Sequence, residues 1–188
     1  MKKASFSDDQ YAITNNRNLS GSFKKINQII DLDQSNINAF EKVFIGENHI
    51  QGTIKKVNHK SFKKINNHFL DEFKDVFEEM TGLNRLELVA VRKNILKKGE
   101  MISMHKDTHG YVVAIHLSNE KNYGKKSGTD KGGEILFKKD NDEVVRIKLK
   151  SNEILIMKCT NEHGVTKIIS GERQSIALFS QPAAALNK

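Results

Sequence analysis

Three short stretches of the sequence carry residue types that could bind a metal ion and a small anion. His105 and Asp107 are separated by a single residue. His163 comes much later in the sequence, and Arg173 and Ser175 follow shortly after it. In an extended strand, residues i and i+2 face the same side, so His105 and Asp107 can reach one ion together. A second imidazole from a neighbouring strand would complete a site of two histidines and one carboxylate. Such a site leaves coordination positions open and suits Fe(II) oxygen chemistry.

The third stretch predicts an anion site. Arg173 offers a planar guanidinium that fits a carboxylate, and Ser175 places a hydroxyl on the same face of a strand. Each stretch has an ordinary explanation when taken alone. A chance His-x-Asp is expected about 0.4 times in a chain of this composition, His163 could be a hydrogen-bonded core or surface histidine, and Arg173 a solvated charge. Their order and spacing on one β-rich pattern favour a single site.

The surrounding residues predict mainly β structure with flanking helices. Apolar residues at spacings of three and four predict a helix that begins near Ser61 as its N-cap, ends at Gly82 and packs on a sheet. After Gly82 the period changes to two, which predicts eight short strands. These are at 86–95, 101–107, 111–118, 133–137, 143–149, 153–158, 165–169 and 174–180. Without helices between them, they indicate a sandwich or small barrel rather than a βαβ fold.

One domain is expected from a chain of 188 residues. We expect residues 1–85 to form an N-terminal helical and irregular part of this domain, with one short helix among the first 40 residues; residues 36–58 are ambiguous. Residues 86–181 form the β-rich core, and 182–188 a tail, so that the single proline, Pro182, lies beyond the last strand. Residues 119–133 have nothing to bury and predict a mobile loop.

Composition and charge narrow the class of protein. The hydrophobic fraction is 37%, the charged fraction is 29% and mean hydropathy is −0.55, typical of a soluble globular chain. No apolar stretch is long enough to span a membrane, and the N-terminus lacks the apolar segment of a secretory signal. The single cysteine, Cys159, excludes an internal disulfide and favours a reducing, cytoplasmic location; its thiol is expected to be buried and inert. The net charge of +8 does not predict a nucleic-acid partner, because no run of five or six like charges occurs.

The motifs, in order, resemble the Fe(II)/2-oxoglutarate-dependent dioxygenase superfamily, and within it the prolyl-hydroxylase-like branch. They are His105-x-Asp107, the segment GGEILF at 132–137, the segment HGV at 163–165 and the segment GERQSI at 171–176. The resemblance runs from about residue 86 to 181. It implies a double-stranded β-helix, or jelly roll, with the N-terminal helices packed on one sheet.

The resemblance also implies roles for the site residues. His105, Asp107 and His163 would be the iron ligands. Arg173, assisted by Ser175, would pair with the distal carboxylate of 2-oxoglutarate.

Two departures from the family pattern concern the co-substrate. Family members often place a tyrosine on the strand after the dyad, and here His116 stands at the matching place, either as the co-substrate contact or as a structural histidine. A second family tyrosine that contacts the co-substrate, before the dyad, is not evident; Arg92 or Asn94 could substitute for it, and neither is favoured. His109, near the dyad, is expected to have a solvent or outer role rather than to bind the metal.

The implied reaction is hydroxylation of an unactivated C–H, with O2 as co-substrate, decarboxylation of 2-oxoglutarate to succinate and CO2, and ascorbate as reductant. Related halogenases have Gly or Ala in place of the carboxylate, so Asp107 favours hydroxylation over halogenation. Nucleic-acid demethylases of the superfamily usually have two arginines around an Asn-x-Thr near the end of the fold. Because Arg173 stands alone there, demethylation is disfavoured.

The favoured substrate is a small polar molecule, a free amino acid or a related metabolite. The alternatives are a prolyl or other residue of a protein or peptide, a non-catalytic jelly-roll binding module and, least favoured, a nucleic-acid-binding protein. Residues 119–133 are a candidate lid whose lysines could attract an acidic substrate. No membrane partner is expected, and no oligomeric state follows from the sequence.

Overall fold

The computed structural model describes residues 10–14, 20–33, 44–45, 48–82, 86–108, 110–116, 132–149 and 153–182. The described N-terminal residues contain two helices, α1 (Ser20–Asp31) and α2 (His59–Thr81). The strands are β1 (Tyr11–Thr14), β2 (Phe44–Ile45), β3 (Asn48–Gln51), β4 (Thr53–Lys56), β5 (Leu86–Lys97), β6 (Met101–His105), β7 (Tyr111–His116), β8 (Ile135–Lys138), β9 (Val144–Ile147), β10 (Ile154–Lys158), β11 (His163–Val165) and β12 (Glu172–Pro182).

The strands form two sheets of six. The first has the order β1-β10-β7-β12-β5-β4, the second has the order β2-β3-β6-β11-β8-β9, and every pairing is antiparallel. From β5 to β12 the chain crosses between the sheets at every step except the β8–β9 hairpin. This is the topology of a jelly roll, in which two antiparallel sheets face each other. The predicted fold class is confirmed.

Helix α2 covers the outer face of the first sheet. Its buried residues Ile65, Phe69 and Phe73 recur at helical spacing and pack, together with α1, against apolar side chains of that sheet. The helix ends before Gly82, whose φ of 68° is accessible to glycine at little cost. The predicted N-cap, Ser61, is wrong. The cap is Asn58, whose Oδ1 accepts the backbone N–H of Ser61 at 2.9 Å, so the helix begins two residues earlier than expected.

A second apolar cluster fills the space between the two sheets. Strand β10 shows how one segment serves both clusters, because Ile154 and Ile156 face the helices while Leu155 and Met157 face the inside. A strand buried on both faces has a continuous apolar sequence rather than an alternating one. Several side chains of this inner cluster also line the cavity into which the predicted site residues face.

Several strand boundaries differ by a few residues from the sequence prediction. Of the segment predicted as a strand at 165–169, only Val165 lies in a strand, β11 (His163–Val165). The backbone N–H groups of Thr166 and Ile168 donate to the carbonyls of Glu134 and Glu100, which lie in two different loops, so the strand ladder does not continue. Pro182 does not lie beyond the last strand; it is the last residue of β12 and pairs with Leu86. The ambiguous segment contributes β2, β3 and β4.

Other expectations fall on residues outside this description. The predicted loop at 119–133 lies outside the described residues except for its last two, and so do its lysines. No helix in the described part of the chain is long and apolar enough to cross a membrane.

Candidate metal centre

Strands β6 and β11 bring the two histidines of the predicted site together. They pair antiparallel with His163 opposite His105, and the ring centroids are 4.4 Å apart. Asp107 follows the end of β6, where its backbone N–H donates to the carbonyl of Cys159 at 2.9 Å. Its carboxylate reaches both rings, with Oδ2 at 3.2 Å from His163 Nε2 and Oδ1 at 3.8 Å from His105 Nε2. One donor atom from each residue lies within 4.8 Å of the others.

Each imidazole is oriented by a carbonyl two residues before it. His105 Nδ1 lies 2.9 Å from the carbonyl oxygen of Ser103, and His163 Nδ1 lies 2.9 Å from that of Asn161. A carbonyl can only accept, so Nδ1 carries the proton in both rings and Nε2 presents a lone pair. Two lone pairs and a carboxylate then face one point, an arrangement that is unfavourable unless a cation lies between them. The donor set therefore fits a divalent metal ion.

The electrostatics keep the donors in their metal-binding forms. Burial lowers the pKa of His105, and the charge of His163 lowers it further. Burial acts to raise the pKa of Asp107, but contact with His163 and the charges of His163, His105 and Arg92 outweigh it, so that the pKa lies below its usual value. At neutral pH the carboxyl is ionised and the His105 imidazole is neutral.

Arg173 and Ser175 lie together on the inner face of β12. Arg173 is only 3% exposed, and its Nη1 donates to Ser175 Oγ at 2.8 Å. Both side chains line the same cavity, of about 70 Å³, as the His–Asp–His group. The predicted metal and anion stretches are therefore neighbours in space, although His105 and Asp107 are far from Arg173 in the sequence.

Of the remaining sequence candidates, His116 is the last residue of β7, and its backbone lies opposite Ser175 of β12. Its side chain lies outside the described residues, as does His109. Cys159 is fully buried, and burial, with the charge of Asp107, raises the pKa of its thiol to about 12. In the described part of the chain it is not among the side chains that converge on the metal position.

Arg92 and Asn94 of β5, which the sequence offered only as unfavoured substitutes for the missing tyrosine, also line the cavity. Asn94 lies opposite Ser175, and Arg92 lies opposite Ala177 of β12. The guanidinium carbon of Arg92 is 4.8 Å from the centre of the Phe179 ring. The available signal was parity: both residues share the inward face of β5 with buried Leu96, where a polar residue needs an explanation.

No protein-family model matches the sequence, and no curated protein matches it. Solved structures do match. An oxidoreductase of the 2OG-Fe(II) oxygenase family from Burkholderia pseudomallei superposes with a TM-score of 0.75 at 16% identity, over 95% of this chain and 88% of that one. The fold is that of the 2-oxoglutarate/Fe(II) oxygenases.

Two further structures extend this comparison. A prolyl hydroxylase from Trichoplax adhaerens, in complex with a hypoxia inducible factor peptide fragment, gives a TM-score of 0.67 at 17% identity, over 98% of this chain and 90% of that one. A non-heme alpha ketoglutarate dependent carbocyclase from nogalamycin biosynthesis gives 0.65 at 10% identity, over 95% and 82%. With the His–Asp–His group, these likenesses confirm the predicted resemblance and support the prediction of an oxygenase.

Proposed function

We propose that this chain is an Fe(II)/2-oxoglutarate-dependent dioxygenase that hydroxylates an unactivated C–H of a small polar substrate, such as a free amino acid. One observation carries the proposal: a facial group of two imidazoles and a carboxylate shares a cavity with a buried arginine–serine pair. A jelly-roll binding module without catalytic activity needs neither feature, so their co-occurrence counts against that alternative.

In this proposal His105, Asp107 and His163 hold Fe(II), and Arg173 with Ser175 binds the distal carboxylate of 2-oxoglutarate. The bound iron supplies the activation of O2 that couples decarboxylation of 2-oxoglutarate to succinate and CO2 with hydroxylation, and ascorbate serves as reductant. Three ligands from one side leave the opposite side of the metal position open.

The protein itself would position the metal ligands and the co-substrate carboxylate, and would limit the access of water to them. The two carbonyl hydrogen bonds fix the planes of the imidazoles, so both Nε2 atoms point at the metal position before the ion arrives. The Ser175 hydroxyl accepts from Arg173, which leaves its own hydrogen available to a carboxylate beside the guanidinium. His116, whose backbone lies opposite Ser175, is proposed to reach the same carboxylate. Apolar walls such as Ile102, Val165 and Phe179 limit the access of water.

A second candidate is hydroxylation of a residue in a protein or peptide. The Trichoplax adhaerens neighbour, solved with a peptide fragment, favours this possibility. The small-molecule assignment is preferred because polar Arg92 and Asn94 face the same cavity as the metal position, as paired anchors for a small substrate would.

The test is an anaerobic titration of the protein with Fe(II) and 2-oxoglutarate, followed by admission of O2 and measurement of succinate. We expect a weak visible charge-transfer band, slow succinate formation without added substrate, and loss of both in His105→Ala and Arg173→Ala. Arg146→Ala is the matched control, because Arg146 is a surface residue paired with Glu134 at 3.2 Å. Absence of both signals in metal-replete wild-type protein would refute the dioxygenase assignment and favour the binding module.

A further inference from the structure

Arg92 is a second cation in the cavity that holds the proposed iron and co-substrate sites. It is partly buried on the inward face of β5, and its guanidinium lies over the ring of Phe179, 4.8 Å from the centroid. A guanidinium stacked on an aromatic face keeps a fixed orientation while its N–H groups point outward from the stack. The Arg92 guanidinium is therefore held in a fixed orientation at the cavity, with N–H groups available to a ligand.

In the part of the chain that the structure describes, no carboxylate lies within 4.0 Å of the Arg92 guanidinium, which contacts the Phe179 ring. Other inward-facing or buried cations do have partners: Lys93 pairs with Asp31, and Arg173 donates to Ser175. A partly desolvated charge without a counter-ion is costly, and an anionic ligand would remove that cost.

The two arginines are directed at different parts of the cavity. Along β12 the register places Arg173 opposite Leu96 and Ala177 opposite Arg92, four residues further along the strand, so the two backbone positions are roughly 13 Å apart at about 3.3 Å per residue. The Arg173 guanidinium contacts Ser175 and the Arg92 guanidinium lies over Phe179, so we assign them to different anions. Arg173 is already assigned to the distal carboxylate of 2-oxoglutarate.

The anion at Arg92 also lies beside the metal position. Arg92, His105 and Asp107 line the same cavity. Asn94, which lines the same cavity on the same face of β5, adds one amide donor and one acceptor. A molecule held here would lie close to the iron, where the oxidised substrate must lie.

We propose that Arg92, with Asn94 beside it, is the binding site for a carboxylate of the primary substrate. The substrate class is then a small carboxylic acid, such as an amino, hydroxy or dicarboxylic acid, bound through a guanidinium–carboxylate pair. This inference rests on the proposed dioxygenase function, because it assigns the substrate end of the same site.

The test compares acids with their uncharged analogues. A panel of amino, hydroxy and dicarboxylic acids, each beside its carboxamide, is added to the Fe(II)- and 2-oxoglutarate-loaded protein, and succinate formation is measured. We expect one or more acids to accelerate succinate formation and their carboxamides to do so at least about tenfold more weakly. For each active acid, calorimetry on the Mn(II)- and 2-oxoglutarate-loaded protein gives its dissociation constant.

Variants then separate the substrate role from a co-substrate role. Arg92→Gln is expected to raise the dissociation constant of the active acid roughly 10- to 100-fold while that of 2-oxoglutarate is unchanged, and Arg92→Lys to lie between, because it keeps the charge but loses the fork. Arg146→Gln, the same change at an exposed position, is expected to change neither constant. Retained binding of 2-oxoglutarate also shows that the variant is folded.

Several results would overturn the inference. A wild-type enzyme that turns over 2-oxoglutarate but responds equally to acids and carboxamides, or to no acid, has no carboxylate site at Arg92. Acceleration only by end-blocked peptides would assign the peptide class instead. Weaker binding of 2-oxoglutarate in Arg92→Gln would make Arg92 a co-substrate contact. If wild-type protein neither binds 2-oxoglutarate nor forms succinate, the proposed function itself fails, which is a distinguishable outcome.

Discussion

At the scale of single residues, the two histidines of the metal centre share one local device. Each ring donates from Nδ1 to the carbonyl of the residue two positions before it, Ser103 for His105 and Asn161 for His163. The carbonyl that orients His163 belongs to Asn161, whose side chain is itself hydrogen-bonded. The Asn161 side chain is buried, and the two N–H groups of its Nδ2 donate to three acceptors, the Lys138 carbonyl, Gln10 Oε1 and Asp140 Oδ1, at 2.9 to 3.0 Å, with one N–H shared between two of them. Asn161 thereby fixes the turn from which His163 is aimed.

Asn161 is therefore predicted to be a positioning residue. Asn161→Ala removes these side-chain hydrogen bonds and frees the turn, so the Mn(II) dissociation constant should rise about tenfold, as for other outer-sphere partners of metal-bound histidines. The measurement is a Mn(II) titration of the apoprotein, with the unfolding midpoint recorded beside it. Asn141→Ala is the matched control, because Asn141 is exposed in a turn and its Oδ1 accepts the Glu143 N–H, away from His163. Equal metal affinity in both variants would make Asn161 a purely structural residue.

At the scale of elements, the metal centre depends on how closely β6 and β11 approach. A Cβ built on Gly164 would lie 2.7 Å from the carbonyl oxygen of Ile102 and 3.0 Å from the carbonyl carbon of Ser103. Both contacts are with backbone of β6, which cannot rotate away as a side chain can. The glycine between His163 and Val165 thus sets the separation of the strands that carry the two imidazoles.

We predict that Gly164→Ala pushes β11 from β6 and weakens both folding and metal binding. Overpacking against backbone should cost about 1–3 kcal/mol of unfolding free energy, and the Mn(II) affinity of the refolded protein should fall because the two Nε2 atoms no longer converge. Chemical denaturation and Mn(II) titration measure the two effects. Gly21→Ala is the control, because nothing lies within 4 Å of the Cβ position in α1. Destabilisation without loss of metal affinity would show that β11 shifts together with its histidine.

The same elements show what sequence could predict. Helix α2 and the strands of the jelly roll follow from apolar period and β-branched content, which are local properties. The boundary of β11 does not, because His163 joins a strand by pairing with β6 and β8 rather than through its own neighbours. The helix cap was missed because Asn58 and Ser61 are both capping residue types, and only the observed hydrogen bond separates them.

The residues of the candidate site were likewise predictable only in part. The spacing of His105 and Asp107 indicated a shared face, and the order of the motifs indicated where His163 and Arg173 belong. The position of Arg92 depends on the register of β5 against β12 and on the ring of Phe179, which residue types alone do not give.

At the scale of the whole molecule, the jelly roll has a helical layer that lies away from the site. The helices and the outer face of the first sheet share one apolar cluster, while the inner cluster lies between the sheets. Ion pairs of Asp31 join this layer to the sheet. Lys93 of β5 is 3% exposed, and its Nζ lies 2.8 and 2.9 Å from the two carboxylate oxygens of Asp31, at the end of α1. Lys55 of β4 reaches the same carboxylate at 3.2 Å from a more exposed position.

The two partners of this ion pair are predicted to differ in their effect on unfolding. Asp31→Asn leaves the Lys93 ammonium buried without its counter-ion and should cost about 1–3 kcal/mol, whereas Lys93→Met, which removes the buried charge itself, should cost less or nothing. Lys55→Met is the matched control: the same change beside the same carboxylate, but at a more solvated position, with an expected effect within about 0.5 kcal/mol. Urea denaturation at neutral pH measures all three variants.

The pH dependence gives an independent check on the same pair. Burial acts to raise the pKa of Asp31, but hydrogen bonds and charge from Lys93, and then Lys55, outweigh it and bring the pKa below its ordinary value of 3.8. A carboxyl whose pKa is lower in the folded state stabilises the fold above its unfolded pKa and loses that contribution as pH falls through the folded pKa. The difference in unfolding free energy between wild type and Asp31→Asn should therefore be constant near neutral pH and shrink below about pH 3.8. A difference that stays constant down to the acid limit would mean that Asp31 acts through packing alone, and the ion pair would then not be what fastens α1 to the sheet.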